Sequence, residues 1–212
     1  MILDNIKWHN ILLYLLIIIF VAVWIWSGIA PYDRGDWILE NLLVFIVVIL
    51  MLGIIKKFRF STISYIMIVA FLIIHSIGSH YTYALVPYEV WLDECCGWSL
   101  NEFMGWERNH FDRLVHFLFG LLCTYPMVEI FARALPQLTK QWCWFFAVQS
   151  ITAMSVLYEL VEWGVAIVFG GELGMHYLGI QGDIWDAHSD MLLAIIGAFL
   201  AWFIAYIIEK IK

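Results

Sequence analysis

Six stretches of this 212-residue chain are long and apolar enough to cross a bilayer, and they use most of it. A hydrocarbon layer of about 30 Å takes roughly 20 helical residues. Within it every backbone N–H and C=O must be paired internally, so lipid-crossing segments of this length fold as helices. The spans fall at about 9–30, 37–55, 62–79, 112–132, 142–168 and 184–208. With 64% hydrophobic and only 14% charged residues the chain lies far outside the range of a soluble domain. The expectation is an all-α fold, one six-helix transmembrane domain over residues 1–212, with no room for a soluble domain.

Loop charge sets the orientation, because basic residues stay on the cytoplasmic side. Lys56, Lys57 and Arg59 lie between spans two and three, Arg133 and Lys140 between four and five, and Lys210 and Lys212 at the C-terminus. The alternate loops are acidic: Asp33 and Asp36 in the first, Glu89, Asp93, Glu94, Glu102 and Glu107 in the third, and Glu172 in the fifth. Both termini are therefore expected in the cytoplasm. The first span lacks a small-x-small cleavage pattern and reads as an uncleaved anchor. Loop 80–111 is too polar to span, yet Trp91, Trp98, Phe103 and Trp106 recur among its acids. That pattern predicts an interfacial segment lying as a lid on the outer side. The net charge of −7 and the apolar composition exclude a nucleic-acid partner. Four cysteines show no metal spacing and no disulfide framework, and Cys95 and Cys96 are adjacent.

Ionisable residues inside such segments are costly, so they mark function by default. Asp112 and His116 stand i and i+4 at the start of span four, Glu159 and Glu162 i and i+3 in span five, and Asp183, Asp186 and Asp190 follow a three-then-four spacing into span six. Each set lies on one helix face. At about 1.5 Å per residue all three stripes fall within roughly three turns of the outer boundary. Three polar faces excluded from lipid are expected to point into one outward-opening cavity, with His75, Ser76, Ser79 and His80 near the outer end of span three. Ala194, Gly197, Ala198 and Ala201 form a small-residue stripe that allows close helix approach in span six.

Four strings in order, His80–Tyr83, Arg108–Phe117, Tyr158–Trp163 and Leu178–Met191, resemble the YjdF family of bacterial inner-membrane proteins over nearly the whole chain. The resemblance implies a six-helix inner-membrane protein of unassigned activity. It marks His80, Asp112, Arg113, His116, Glu159, Glu162, Gln181, Asp183, Trp185, Asp186 and Asp190 as motif positions. About half the chain is more loosely similar to VanZ-like membrane proteins, which are associated with glycopeptide resistance.

Carboxylates with imidazole suit a divalent ion such as zinc, manganese, iron or magnesium. An ion would also supply the counter-charge that lets several acids stay ionised together. His116, Glu159, Glu162, Asp186 and Asp190 are the expected ligands, with one glutamate, Glu159 or Glu162, free as general base and Arg113 gripping an anionic group. His80, Asp112, Gln181, Asp183 and Trp185 are expected around them, contacting substrate or the ligands. Asp112 also suits the first turn of a helix, and Asp183 a cap after the Gly182 turn. The reading is a metal-dependent membrane enzyme acting on a lipid or lipid-linked headgroup. Two others stay open: a proton- or cation-coupled carrier using the same acids, and a non-catalytic accessory protein of the VanZ-like kind. A structural hydrogen-bond network would use the same spacings. No GxSxG, Walker, Rossmann or HExxH string is present.

Overall fold

A computed structural model describes residues 2–55, 59–171 and 181–211. Lys56, Lys57, Glu172, Gly179 and Lys212 lie outside them. Every regular element among the described residues is a helix. Six are long and apolar enough to cross a membrane: α1 (Ile2–Ser27), α2 (Arg34–Ile55), α3 (Thr62–His80), α6 (Phe111–Ala134), α7 (Lys140–Phe169) and α8 (Asp186–Ile211). Two short ones, α4 (Tyr88–Cys96) and α5 (Leu100–Met104), occupy the predicted interfacial loop.

Local chemistry sets the helix ends. The Asp33 carboxylate accepts from the Asp36 N–H at 2.9 Å and so caps α2. Ser61 accepts from the Ser64 N–H at 3.3 Å at the start of α3. The Ser61 N–H in turn donates to Glu129 of α6 at 2.9 Å. Glu129 also pairs with Arg133 at 3.1 Å, the i, i+4 pair expected from their spacing. One carboxylate thus ties the start of α3 to the end of α6.

The outer surface is apolar and the interior polar at one end, as a lipid solvent requires. Ile18, Ile49, Val168 and Phe203 are exposed, whereas Asp36, Glu40, His116, Glu159, Glu162, Asp186 and Asp190 are buried. Without a hydrophobic drive between helices in lipid, close packing holds them together. Helix α6 is the hub, flanked by α3, α7 and α8, while α1 and α2 pack on α3. The tightest crossing is α6 on α8. A methyl at Gly120 would strike the Ala194 carbonyl, and one at Gly197 the Phe117 carbonyl, so the two backbones are in contact. Ala194, Ala198 and Ala201 are buried beside them, as the small-residue stripe predicts. Gly120 is the partner on α6 that the stripe required.

After α3 the chain turns through Thr82 and Tyr83, both at φ +54. This folds the Tyr83 ring onto Gly78, where a Cβ would lie 2.8 Å from the ring. Tyr83 and Val86 bury themselves against Phe71, Phe111 and Val115. The part of loop 80–111 that enters the bundle is therefore its start, while α4 and α5 carry no buried residue.

Candidate functional site

The three predicted stripes meet at the end of the bundle where α6 begins and α7 finishes. On α6, His116 places Nε2 3.7 Å from Asp112 and 3.4 Å from Glu159 of α7. One potential ligand atom each from Asp112, His116 and Asp190 of α8 all lie within 4.8 Å of one another. Glu162 hydrogen-bonds Glu159 and sits within the field of Asp112, Asp190 and Glu40. One oxygen of Asp190 and one of Glu159 are buried without a hydrogen-bond partner, as is the Ser155 hydroxyl one turn from Glu159. A buried polar group left unpaired is expensive. Three such atoms lie together beside His116.

Asp186 parts company with this group. Expected beside Asp190 as a ligand, it is taken by the Arg108 guanidinium, with Arg113 3.6 Å away. Arg113 donates to Asp183, which Arg108 also reaches at 3.3 Å. Two arginines before and within the first turn of α6 thus clamp two aspartates at the entry to α8. The clamp is electrically self-consistent. Burial works against the Arg108 cation, but the hydrogen bond and charge of Asp186, with Asp183 and Asp190 behind, raise its pKa above the ordinary value. Asp183 is held below the usual carboxylate range by the Trp185 N–H, then by the Arg113 hydrogen bond and the two arginine charges. His110 is pushed down by burial and by Arg113 and Arg108, so it is a neutral acceptor for Arg113 at 3.3 Å.

Among the other predicted residues, Gln181 locks the clamp from outside, exchanging hydrogen bonds of 3.2 and 3.1 Å with the Asn109 backbone. Asp183 accepts from the Trp185 N–H at 2.9 Å, the capping role its position before span six suggested. Trp185 itself is exposed and lies edge-on to His188. His80 belongs elsewhere: it stacks on Trp26 at 4.5 Å and contacts the Ser27 carbonyl at 3.0 Å, which ties α3 to α1.

Sequence reasoning overlooked two participants and gave a third a lesser part. Glu40 is buried on α2, accepts from the Tyr158 hydroxyl of α7 at 3.0 Å and lies in the field of Asp112. With Asp36 it repeats the i, i+4 acid stripe inside an apolar run, so the rule applied to the other helices finds it. Arg108 precedes span four, and no periodicity assigns it a face. Asp112, expected beside the ligands and in the first turn of a helix, is in that first turn and also offers a carboxylate oxygen to the His116–Asp190 cluster.

Below this layer a cavity of about 190 Å³ runs between α2, α3, α6 and α7. Asp112, His116, Ser155 and Tyr158 stand at its polar end, joined by His75, which hydrogen-bonds Tyr83. The remaining lining is nearly all apolar, from Leu43, Val47 and Phe119 down to Met51, Phe60 and Ile130.

Residues 12–210 match the family described as "Predicted membrane protein (DUF2238)". The chain belongs to that family. It is similar to the inner membrane protein YjdF of Escherichia coli strain K12, 34% identical over 174 residues, covering 82% of this chain and 79% of that one. No solved structure matches it. A DUF2238 protein of this kind is a multi-pass inner-membrane protein, in agreement with the six apolar helices. The polar strings of this sequence resolve spatially into two devices, the arginine clamp and the His116 cluster.

Proposed function

We propose that this DUF2238 protein is a divalent-metal-dependent membrane enzyme that acts on the headgroup of a lipid or lipid-linked substrate from the periplasmic side. The observation that carries the reading is the approach of Asp112, His116 and Asp190 to within 4.8 Å, each offering a ligand atom. Three ligands at about 2.0–2.2 Å from one ion lie about 3.4 to 3.8 Å apart, so side-chain movements of about 1 Å or less close the set. Glu159, whose Oε1 is 3.4 Å from His116 and otherwise unpartnered, completes a mixed oxygen and nitrogen set. Such a set fits zinc, manganese or iron, and the excess of buried acid calls for a cation.

When bound, the ion supplies Lewis-acid polarisation of a phosphoryl or acyl oxygen and acidifies water. The chain's own residues do the rest. Glu162, held against Glu159, is placed to take a proton at a carboxylate oxygen, and Glu40 with Tyr158 closes the side towards α2. An anionic headgroup arriving at the mouth competes with Asp183, the more exposed of the two clamped aspartates, for the Arg113 fork. The positive-inside pattern of the loops supports a periplasmic position for this end. Below His116 the cavity wall is apolar, which disfavours a proton or cation path to the other face.

The test is elemental analysis of purified protein, alone and after incubation with magnesium, manganese, iron or zinc. Stoichiometric metal in the wild type, lost in Asp190→Asn and His116→Ala while circular dichroism is unchanged, is the expected result. A wild-type protein that retains none of the four ions after reconstitution overturns the proposal.

A further inference from the structure

Resting on the reading of the acid layer as a headgroup site, the geometry points to the substrate's other end: the cavity beneath is a sheath for one long hydrocarbon chain. Its lining follows α6 from Asp112 to Ile130, which at 1.5 Å per residue is about 27 Å. That approaches the full hydrocarbon thickness of about 30 Å and exceeds a single leaflet. About 190 Å³ open to the centre of a water-sized sphere, drawn out over such a length, makes a channel roughly 3 Å in radius, which admits one chain abreast and not two.

The sheath is polarised. Ser155 is buried, lines the cavity and offers a hydroxyl with no hydrogen-bond partner. It lies just below Asp112 and His116, where the first polar atoms beneath a headgroup would sit. Below the Tyr158–Glu40 hydrogen bond that closes the acid layer, the side towards α2 is a natural entrance from the lipid. Helix α2 packs on α3 and meets α7 chiefly through the Tyr158–Glu40 hydrogen bond, and Met154 of α7 both lines the cavity and is exposed. The predicted occupant is a single-chain lipid, polar end at His116 and Ser155, whose tail passes the bilayer midplane. Two-chain phospholipids leave a second chain with no place.

The experiment measures binding of two single-chain alkyl phosphates, one about a leaflet long and one about twice that, and of phosphatidylglycerol, to purified full-length protein by native mass spectrometry. Ile130→Trp blocks the far end and is expected to weaken the long chain about tenfold while sparing the short one. Val47→Trp, midway, weakens both, and Ser155→Ala weakens both equally without altering the length preference. Should Val47→Trp fail to fold, the Ile130→Trp length dependence still decides. Phosphatidylglycerol binding as tightly as the long single chain, or Ile130→Trp affecting the two lengths alike, overturns the sheath. Running the same titration on Asp190→Asn separates the two proposals. Tail binding that persists without metal leaves the sheath standing alone, and metal without length-selective binding leaves only the centre.

Discussion

Four carboxylates at the entrance to the site share a chemistry and differ in what surrounds them. Asp183 and Asp186 each meet a guanidinium, whereas Asp190 and Glu159 each keep a buried oxygen without a hydrogen bond. The first pair organises the entrance to α8, and the second supplies the unpaired oxygens on which the proposed metal site rests. Asp183 gives this a pH signature. Its folded pKa lies below the usual 3.8, so its contribution to stability is complete above the unfolded value and is lost as the pH falls through the folded one. Asp183→Asn is therefore expected to lower the melting temperature at pH 7, and the gap to the wild type should close on acidification below 3.8. Thermal unfolding of both proteins in detergent across that range measures it, and a gap that stays constant with pH would show that Asp183 does not hold the clamp as an anion.

At the scale of elements, the crossing of α6 and α8 decides where the site residues stand. Gly120 and Gly197 bring the backbones together, and this contact sets His116 of α6 opposite Asp190 of α8. Gly197→Ala would push a methyl against the Phe117 carbonyl. Overpacking of this kind costs about 1–3 kcal/mol, or several degrees of melting temperature at this chain length, roughly 2–4 °C per kcal/mol. The loss should exceed that of Gly53→Ala in α2, where a Cβ meets nothing within 4 Å. Comparing the two melting curves tests the argument, and metal content of Gly197→Ala should fall even though no ligand has changed.

For the whole molecule, the arrangement of loops makes a prediction about sidedness. Cys95 and Cys96 are free and exposed on α4, whereas Cys143 is buried and Cys123 largely covered. If the acidic loops face the periplasm, a membrane-impermeant thiol reagent added to intact cells with a permeabilised outer membrane labels the wild type. Cys95→Ser/Cys96→Ser abolishes that labelling. Labelling that appears only after the inner membrane is opened reverses the orientation and moves the site to the cytoplasmic face.

Much of this was legible in the residues. Hydropathy and length located all six spans to within a few positions at most boundaries, because lipid leaves the backbone no alternative to helix. Spacing placed Asp112 with His116 and Glu159 with Glu162 on common faces, since a face repeats every three or four residues. Periodicity stops at the single helix, however. It does not say how each rod is rotated against its neighbours, so it assigned Asp186 to the metal group when Arg108 claims it, passed over Glu40, and left His80 near a site when it stacks on Trp26. Tyr83 reaches the cavity only because two residues adopt positive φ after α3. The amino-acid order by itself determined how many helices cross and which faces are polar. Tertiary packing, through glycine contacts between α6 and α8 and the arginine clamp, decided which of those acids meet.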